Sequence, residues 1–369
     1  QNYVDFNSNP QMSTLNLGSL TDVGAYFQVF DGVDLDLDLD ALTTVEGSFK
    51  LEYNDFVQLQ LGSLASIDGY FYFTNNMGLS DLDVSALNDG ISYMYLEHND
   101  GLVNINLDGV TSISQTLFVN GNDGLSDLSL DALEDANVIS LSNNNDLGAL
   151  LLPALTTIGN EFRVSDHVAL TQIEATNLTS VGSGSSYAFY IETNSSLTDV
   201  VMNNLNTIYG DIRIYGNAVL AGMNLTNLAT VQGDINMNNN GFTSLSFASL
   251  AMLNGNLSIQ NNDLLTLLDM DALSTLGGAI SIIGNAVLQT TTVSQLETIP
   301  NGLTITINGQ LETVNFSSVQ TIGTDLSIGT NGQLTSLDFS VLDSIGDTFS
   351  LYENDSLASV ATFYAITDI

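Results

Sequence analysis

Short alternations of apolar and polar residues recur along the whole chain at a fixed spacing. Counted from Leu15, an L-x-L-type segment opens at Leu37, Leu59, Leu82, Ile105, Leu128, Leu150, Ile173, Val200, Met223, Leu245, Leu268, Thr291, Val314, Leu337 and Val360. The intervals are 22 or 23 residues, with one of 27, so sixteen copies of one unit fill the 369 residues. A fixed period of this size indicates a solenoid, each repeat one coil stacked on the last.

The stretch Ile212 to Leu228 shows the grammar of a repeat. A first strand places Ile212 and Ile214 inward, Asn217 follows at a turn, and Leu220 points back to the core. A second strand places Met223 and Leu225 inward. Leu228 and Val231 close the coil, and Gly233 turns into the next. Alternation with period two is the signature of strand rather than helix. First strands recur as Phe71/Phe73, Met94/Leu96, Leu117/Val119, Ile139/Leu141, Leu257/Ile259 and Leu326/Ile328, and closing pairs as Leu42/Val45, Leu205/Ile208 and Leu342/Ile345. No segment carries a helical period. The expected fold is all-β: a right-handed parallel β-helix (β-solenoid) of about sixteen rungs of 22–23 residues, one domain spanning 1–369, without obvious caps.

A second column is polar. Six residues before the second strands stand Asn9, Asn76, Asn99, Asn122, Asn144, Asn194, Asn217, Asn239, Asn262, Asn285, Asn308, Asn331 and Asn354; Asn54 is offset by one, and Asp31 and His167 fill the remaining places. Stacked asparagines can bond amide to amide between rungs and satisfy turn backbone groups. They also tolerate the left-handed conformation a corner needs. The column is expected to be a buried structural ladder.

Charge narrows the function classes. Three bases, Lys50, Arg163 and Arg213, stand against 42 acids, for a net charge of −39. Such a surface repels phosphate backbones and anionic lipid and attracts cations, so nucleic-acid partners and membrane insertion are not expected. There is no cysteine, which removes disulfides and thiolate metal sites. No apolar run approaches the roughly 18 residues of a membrane span. The chain begins at Gln1 without a basic-plus-apolar leader. It reads as a mature, secreted protein of the extracellular space or cell surface.

Candidate chemistry is sparse. Val33 to Asp40 reads V-D-L-D-L-D-L-D, with Asp34, Asp36, Asp38 and Asp40 on one face; Asp81 and Asp83 lie near the same sheet face. Stacked carboxylates repel unless screened, which makes these six residues candidate calcium ligands; the sequence points to no other cofactor. Aromatics concentrate between Tyr26 and Tyr95, and the outward ones, Tyr72 and Tyr93, are candidates for a strip that binds a glycan or a protein. Sequons at Asn177, Asn224, Asn256 and Asn315 are candidate glycosylation sites, whereas those at Asn194 and Asn354 fall in the ladder. The long repeat carries an insert, Gly182 to Ser186. His98 and His167 fall in different rungs, and three scattered bases are a poor set for holding acidic sugars, so no enzyme is expected.

The pattern L-x-x-L-x-L-x-x-L-x-x-I-x-G, followed by a short strand and an Asn turn, resembles the receptor L domain, a family that includes the L domains of insulin and EGF receptors and the Ecm33-like proteins of fungal walls. The resemblance implies a leucine-rich β-solenoid. Receptor L domains carry far fewer rungs, cysteines and capping helices, and this chain departs from them in each respect. The first rung opens with Val4 and Phe6 in first-strand positions, and the last runs through Val360 and Ile366 to Ile369. Two such ends would be in phase to stack head to tail. The expected function is an extracellular structural subunit that partners itself in a filament or surface layer. The alternative is an adhesin or receptor-type module that binds a protein or glycan along one sheet face.

Overall fold

The structure, a computed structural model, describes residues 2–88, 91–184, 187–360 and 363–369. It is an all-β parallel solenoid of about fifteen turns. Its contacts group the chain into two compact units, Gln1–Leu178 and Thr179–Ile369.

In the first unit the first strands Val4–Asn7, Phe27–Phe30, Phe49–Glu52, Tyr70–Thr74, Ile91–Glu97, Ser112–Asn120, Asp135–Ser142 and Thr157–Ser165 pair in parallel in that order. Second strands form narrower sheets, Thr14–Asn16 with Leu35–Asp38 and Phe56–Gln60, then Asp81–Asp83 with Asn104–Asn106 and Asp127–Ser129. Two-residue closing strands such as Thr44–Val45 complete the coil. In the rungs from Ser112 onward the closing and first strands merge, and a register shift marks the join. The second unit repeats the plan from Tyr187–Glu192 to Phe349–Tyr352.

Apolar residues alternate inward as read from the sequence. Phe27, Phe49 and Phe71 are buried and stack at 5.1 and 5.8 Å between centroids. Parallel strands lie about 4.8 Å apart, so like residues in register must lie over one another. Among the described residues fifteen second strands form. Ser359 and Val360, the expected sixteenth, lie in no strand, and Val360 is 47% exposed.

The ladder is present, with corrections. Where two Asn stand in successive rungs, the later Oδ1 accepts both the backbone N–H and the side-chain Nδ2 of the earlier, as Asn99 Oδ1 does from Asn76 at 2.9 and 3.3 Å. Its own Nδ2 donates to a first-strand carbonyl, Phe73 O in this case, at 2.8 Å. Asn76, Asn99, Asn122, Asn144, Asn194, Asn217, Asn262, Asn285, Asn308 and Asn331 are all buried, and Asn354 is half-buried. In the rung read as Asn239 the ladder residue is Asn240. The turn there is one residue shorter, as at Asn54. Asp31 is exposed, and the ladder place beside it belongs to Gly32, whose N–H donates to Asn54 Oδ1 at 3.0 Å. Gly32 has no side chain to receive Asn9, which is exposed and bonds Asn7 O instead. His167 holds its place, buried, 3.4 Å from Asn144 Nδ2.

The left-handed corner is not at the ladder asparagines either. It falls one residue earlier, with positive φ at Asp31, Tyr53, Asn75, His98, Asn143 and Asp166 in one unit and at Thr193, Asn239, Asn261, Ile307, Thr330 and Glu353 in the other. Glycines 121, 216 and 284 hold the same position in their rungs. The chain reverses there, leaving the next N–H to point along the stack at the following Asn.

Candidate binding face

The outward side of the first-strand sheet between Phe49 and Asn120 carries a cluster of stacked tyrosines. Register places Lys50, Tyr72, Tyr95 and Phe118 in one column. Tyr70, Tyr93 and Thr116 form the column before it; Glu52, Thr74, Glu97 and Asn120 form the column after. The inward partners Phe71, Phe73, Met94 and Leu96 are buried, so period-two alternation forces the tyrosines outward. The sequence pointed to Tyr72 and Tyr93; the structure brings them together with Tyr70 and Tyr95.

The rings are set by strand spacing. Tyr70 stacks on Tyr93 at 4.8 Å and 25°, and Tyr72 on Tyr95 at 4.8 Å and 11°. Across columns Tyr70 lies 5.5 Å from Tyr72, and Tyr93 6.2 Å from Tyr95. Lys50 Nζ sits 5.2 Å over the Tyr72 ring, and Phe118 tilts against Tyr95 at 6.0 Å. Most ring faces are thus covered by neighbours, and the face presents ring edges and hydroxyls. Burial, then the neighbouring Tyr95, Tyr70, Glu52 and Glu97, push the Tyr72 hydroxyl above its ordinary pKa. Tyr95 is raised by burial and by Tyr93, Tyr70 and Glu97. Burial also raises the Glu97 carboxyl, against an opposing contribution from His98. Neither Glu52 nor Glu97 is joined to a base among the described residues.

The candidate calcium ligands do not converge. Asp36 lies between Thr14 and Gln58, and Asp38 between Asn16 and Gln60. Asp81 and Asp83 belong to a different sheet, where Asn104 and Asn106 follow them in register. Asn104 Nδ2 donates to Asp81 at 2.6 Å and Ser80 also donates to it; these bonds hold the Asp81 carboxyl below its ordinary pKa. Asp34 and Asp40 are exposed, Asp34 in a left-handed corner of its own. Among the described residues no three of His, Cys, Asp or Glu are grouped to hold a metal ion. Across rungs the expected carboxylate stack is interrupted by Thr14, Asn16, Gln58 and Gln60 in one sheet and by Asn104 and Asn106 in the other.

Many of these acids have a local task that sequence reading missed. Directly after the second strand, Asp38 Oδ1 accepts the N–H of Asp40 at 3.1 Å, and Asp83 Oδ1 that of Ser85 at 3.0 Å. Asp269 and Asp338 do the same in the second unit. Asx turns of this kind are signalled by an Asx two residues before the turn N–H.

In the second unit Arg213 is clamped between Glu192, at 2.5 Å, and the Tyr215 ring, 5.8 Å from its centroid. Beside it, Asp211 Oδ1 accepts the Asp234 N–H and Asp234 Oδ1 the Asn256 N–H and Nδ2. This is a short second ladder. Of the sequon asparagines, Asn256 is committed to it, Asn177 Nδ2 donates to Pro153 O at 2.7 Å, and Asn224 and Asn315 accept from Thr226 and Ser317. In the insert, Gly182 and Gly184 have positive φ, while Ser185 and Ser186 lie outside the described residues. At the chain ends, Val4, Phe6 and Ile366 are half-buried and Ile369 is 64% exposed. Among the described residues no helix is long and apolar enough to cross a membrane.

No protein-family profile matches the chain, and no curated protein matches it. Several solved structures are similar at low identity. An internalin of Listeria monocytogenes str. 4b F2365 is 14% identical, with 95% of this chain and 87% of that one covered and a TM-score of 0.22. The TLR13–ssRNA13 complex is 13% identical, with 95% and 77% covered and a TM-score of 0.20.

Proposed function

We propose that this protein is a secreted or cell-surface recognition module, not an enzyme, and that it engages a partner protein through the tyrosine face of the first unit. One observation carries the reading. The solenoid does not need outward aromatics, because the same column of the second unit, after Tyr190, Arg213 and Asn236, runs through Ser258, Ser281, Thr304 and Ser327. Clustered tyrosines on an open sheet face supply large contact area with hydrogen-bonding tips.

The test separates binding from folding. Tyr70→Ser with Tyr93→Thr uses residue types that stand in the same column at Ser48 and Thr116. The double variant is expected to lose no more than the stacking contribution of about 0.5–1.5 kcal/mol, while binding to an array of peptides and glycans is abolished. Loss of several kcal/mol in urea unfolding, or an unchanged binding profile, would show the tyrosines to be scaffold.

A second reading is head-to-tail self-association through Val4, Phe6, Val360, Ile366 and Ile369. It is supported by the exposure of Val360 and Ile369, at 47% and 64%. Sedimentation that stays monomeric at high concentration and native salt refutes it.

A further inference from the structure

We propose, building on the recognition reading, that the occupant of the tyrosine face is a cationic segment of a partner protein, with some of its arginine or lysine side chains lying on Tyr70 and Tyr93 and others paired with Glu52 and Glu97 across the Tyr72–Tyr95 column. The molecule already shows this mode of holding a base. Arg213 is held by a ring and a carboxylate together, Tyr215 and Glu192, and Lys50 lies over Tyr72. Rings bind cations on their faces through the aromatic quadrupole.

On the tyrosine face the same parts are present with room for more. Tyr93 borders Thr116 and Tyr70 borders Ser48, so each has one ring face with no aromatic neighbour. Glu97 stands two residues beyond Tyr95 on the same side of its strand, and both Glu52 and Glu97 are close enough to act on the Tyr72 hydroxyl. Glu97 is partly desolvated, and its one basic neighbour, His98, offsets that only in part, so an incoming guanidinium would relieve the rest. The other ligand classes fit less well. A neutral sugar would stack on the same two open ring faces but leave the Glu52 and Glu97 charges unmatched. Anionic glycans and nucleic acids meet a chain with net charge −39. The same charge raises the local concentration of a basic partner and steers it inward.

Long-range attraction alone would make any acidic protein bind a basic peptide, so the experiment must isolate the site. The probe is a short arginine–serine peptide, with a glycine–serine peptide of equal length as the neutral control. Both are titrated into the full chain above physiological salt, where the screening length is under about 8 Å. Tyrosine ring resonances report the location, and calorimetry the affinity. The arginine peptide should shift the Tyr70 and Tyr93 rings and the neutral peptide should not. E52Q with E97Q, and Y70S with Y93T, should each weaken binding about tenfold. D81N with D83N, the same change of charge on another sheet, should stay within about twofold.

Equal losses in D81N/D83N and E52Q/E97Q overturn the proposal in favour of diffuse attraction. So does an arginine peptide that leaves both rings unmoved. A neutral peptide that shifts the rings when the arginine peptide does not would also overturn it, while leaving the recognition reading intact.

Discussion

Thr291 is the one polar residue in its core column, and replacing it tests the packing logic of the second-strand sheet. It lies in register between Leu268 and Val314, fully buried, and its Oγ1 has no hydrogen-bond partner. A hydroxyl buried without a partner costs about 1–3 kcal/mol. Thr291→Val removes that penalty without changing shape, and the new methyl contributes about 0.8 kcal/mol of burial. The two sum to a stabilisation of about 2–4 kcal/mol. If the second unit melts cooperatively, each kcal/mol raises its Tm by about 2–4 °C. Urea unfolding gives the magnitude, and hydrogen exchange at the Leu268 and Val314 amides tests whether the gain is local. Thr290→Val and Thr292→Val serve as controls, because both side chains point outward and are half-buried. They should stay within about 0.5 kcal/mol of the parent. A Thr291→Val protein no more stable than these controls would refute the reasoning, since the hydroxyl would then have to be satisfied in solution.

Three further outcomes are expected. Asn285→Ala removes the acceptor of the buried Asn262 N–H and the donor to Ile259 O, and should cost about 2–5 kcal/mol in urea unfolding against about 1 kcal/mol for the half-buried, terminal Asn354→Ala; equal losses would mean that the ladder is not cooperative. Ile307 is a β-branched, 57% exposed residue at φ 62°, so Ile307→Asn or Ile307→Gly should stabilise by about 1 kcal/mol, and a loss of stability would assign the isoleucine a contact of its own. Burial raises the Glu97 pKa, so its folded form favours the proton: the stabilisation this gives is complete below the unfolded pKa and is lost as pH rises through the folded one. Glu97→Gln should therefore melt higher than the parent at neutral pH, and the difference should vanish on acidification; a pH-independent difference would rule out the carboxylate as its cause.

The fold was readable because its determinants are periodic. The Leu37, Leu59 and Leu82 positions and the Asn column recur at one spacing, and in a parallel stack equal spacing means contact. What stayed hidden was anything that depends on a single residue of phase. Asn239 and Asn240 are adjacent and chemically identical, and only the length of the turn decides which faces inward. Asp31 carries a side chain able to join the ladder, yet Gly32 occupies the place. The left-handed corner was assigned to the asparagines by their tolerance of it, although Thr193, Ile307 and Thr330 adopt it at greater cost. At the site, Tyr72 and Tyr93 followed from alternation alone. The pairing of Tyr70 with Tyr93 and Tyr72 with Tyr95 needed the register between Tyr70–Thr74 and Ile91–Glu97. The expected carboxylate stack failed for the same reason: the neighbours that decide it, Thr14, Gln58 and Asn104, lie a full rung away in sequence.

The turn after the second strand separates the acidity of this protein from its fold. Asp38, Asp83, Asp269 and Asp338 accept a turn N–H there, but Asn16, Asn106 and Asn315 make the same bond at 3.1 Å in their own rungs. An amide oxygen serves the turn as well as a carboxylate does, and without adding to the self-repulsion of a chain with net charge −39. Folding alone therefore gives no reason to prefer aspartate at these places, and the excess charge has to be explained by what the surface meets. Solubility accounts for a diffuse negative surface. It does not account for Glu97, whose carboxyl is partly buried beside Tyr95 at a desolvation cost that an exposed aspartate would avoid. A charge kept where it is expensive, next to rings able to bind cations, is what a site for a basic partner requires.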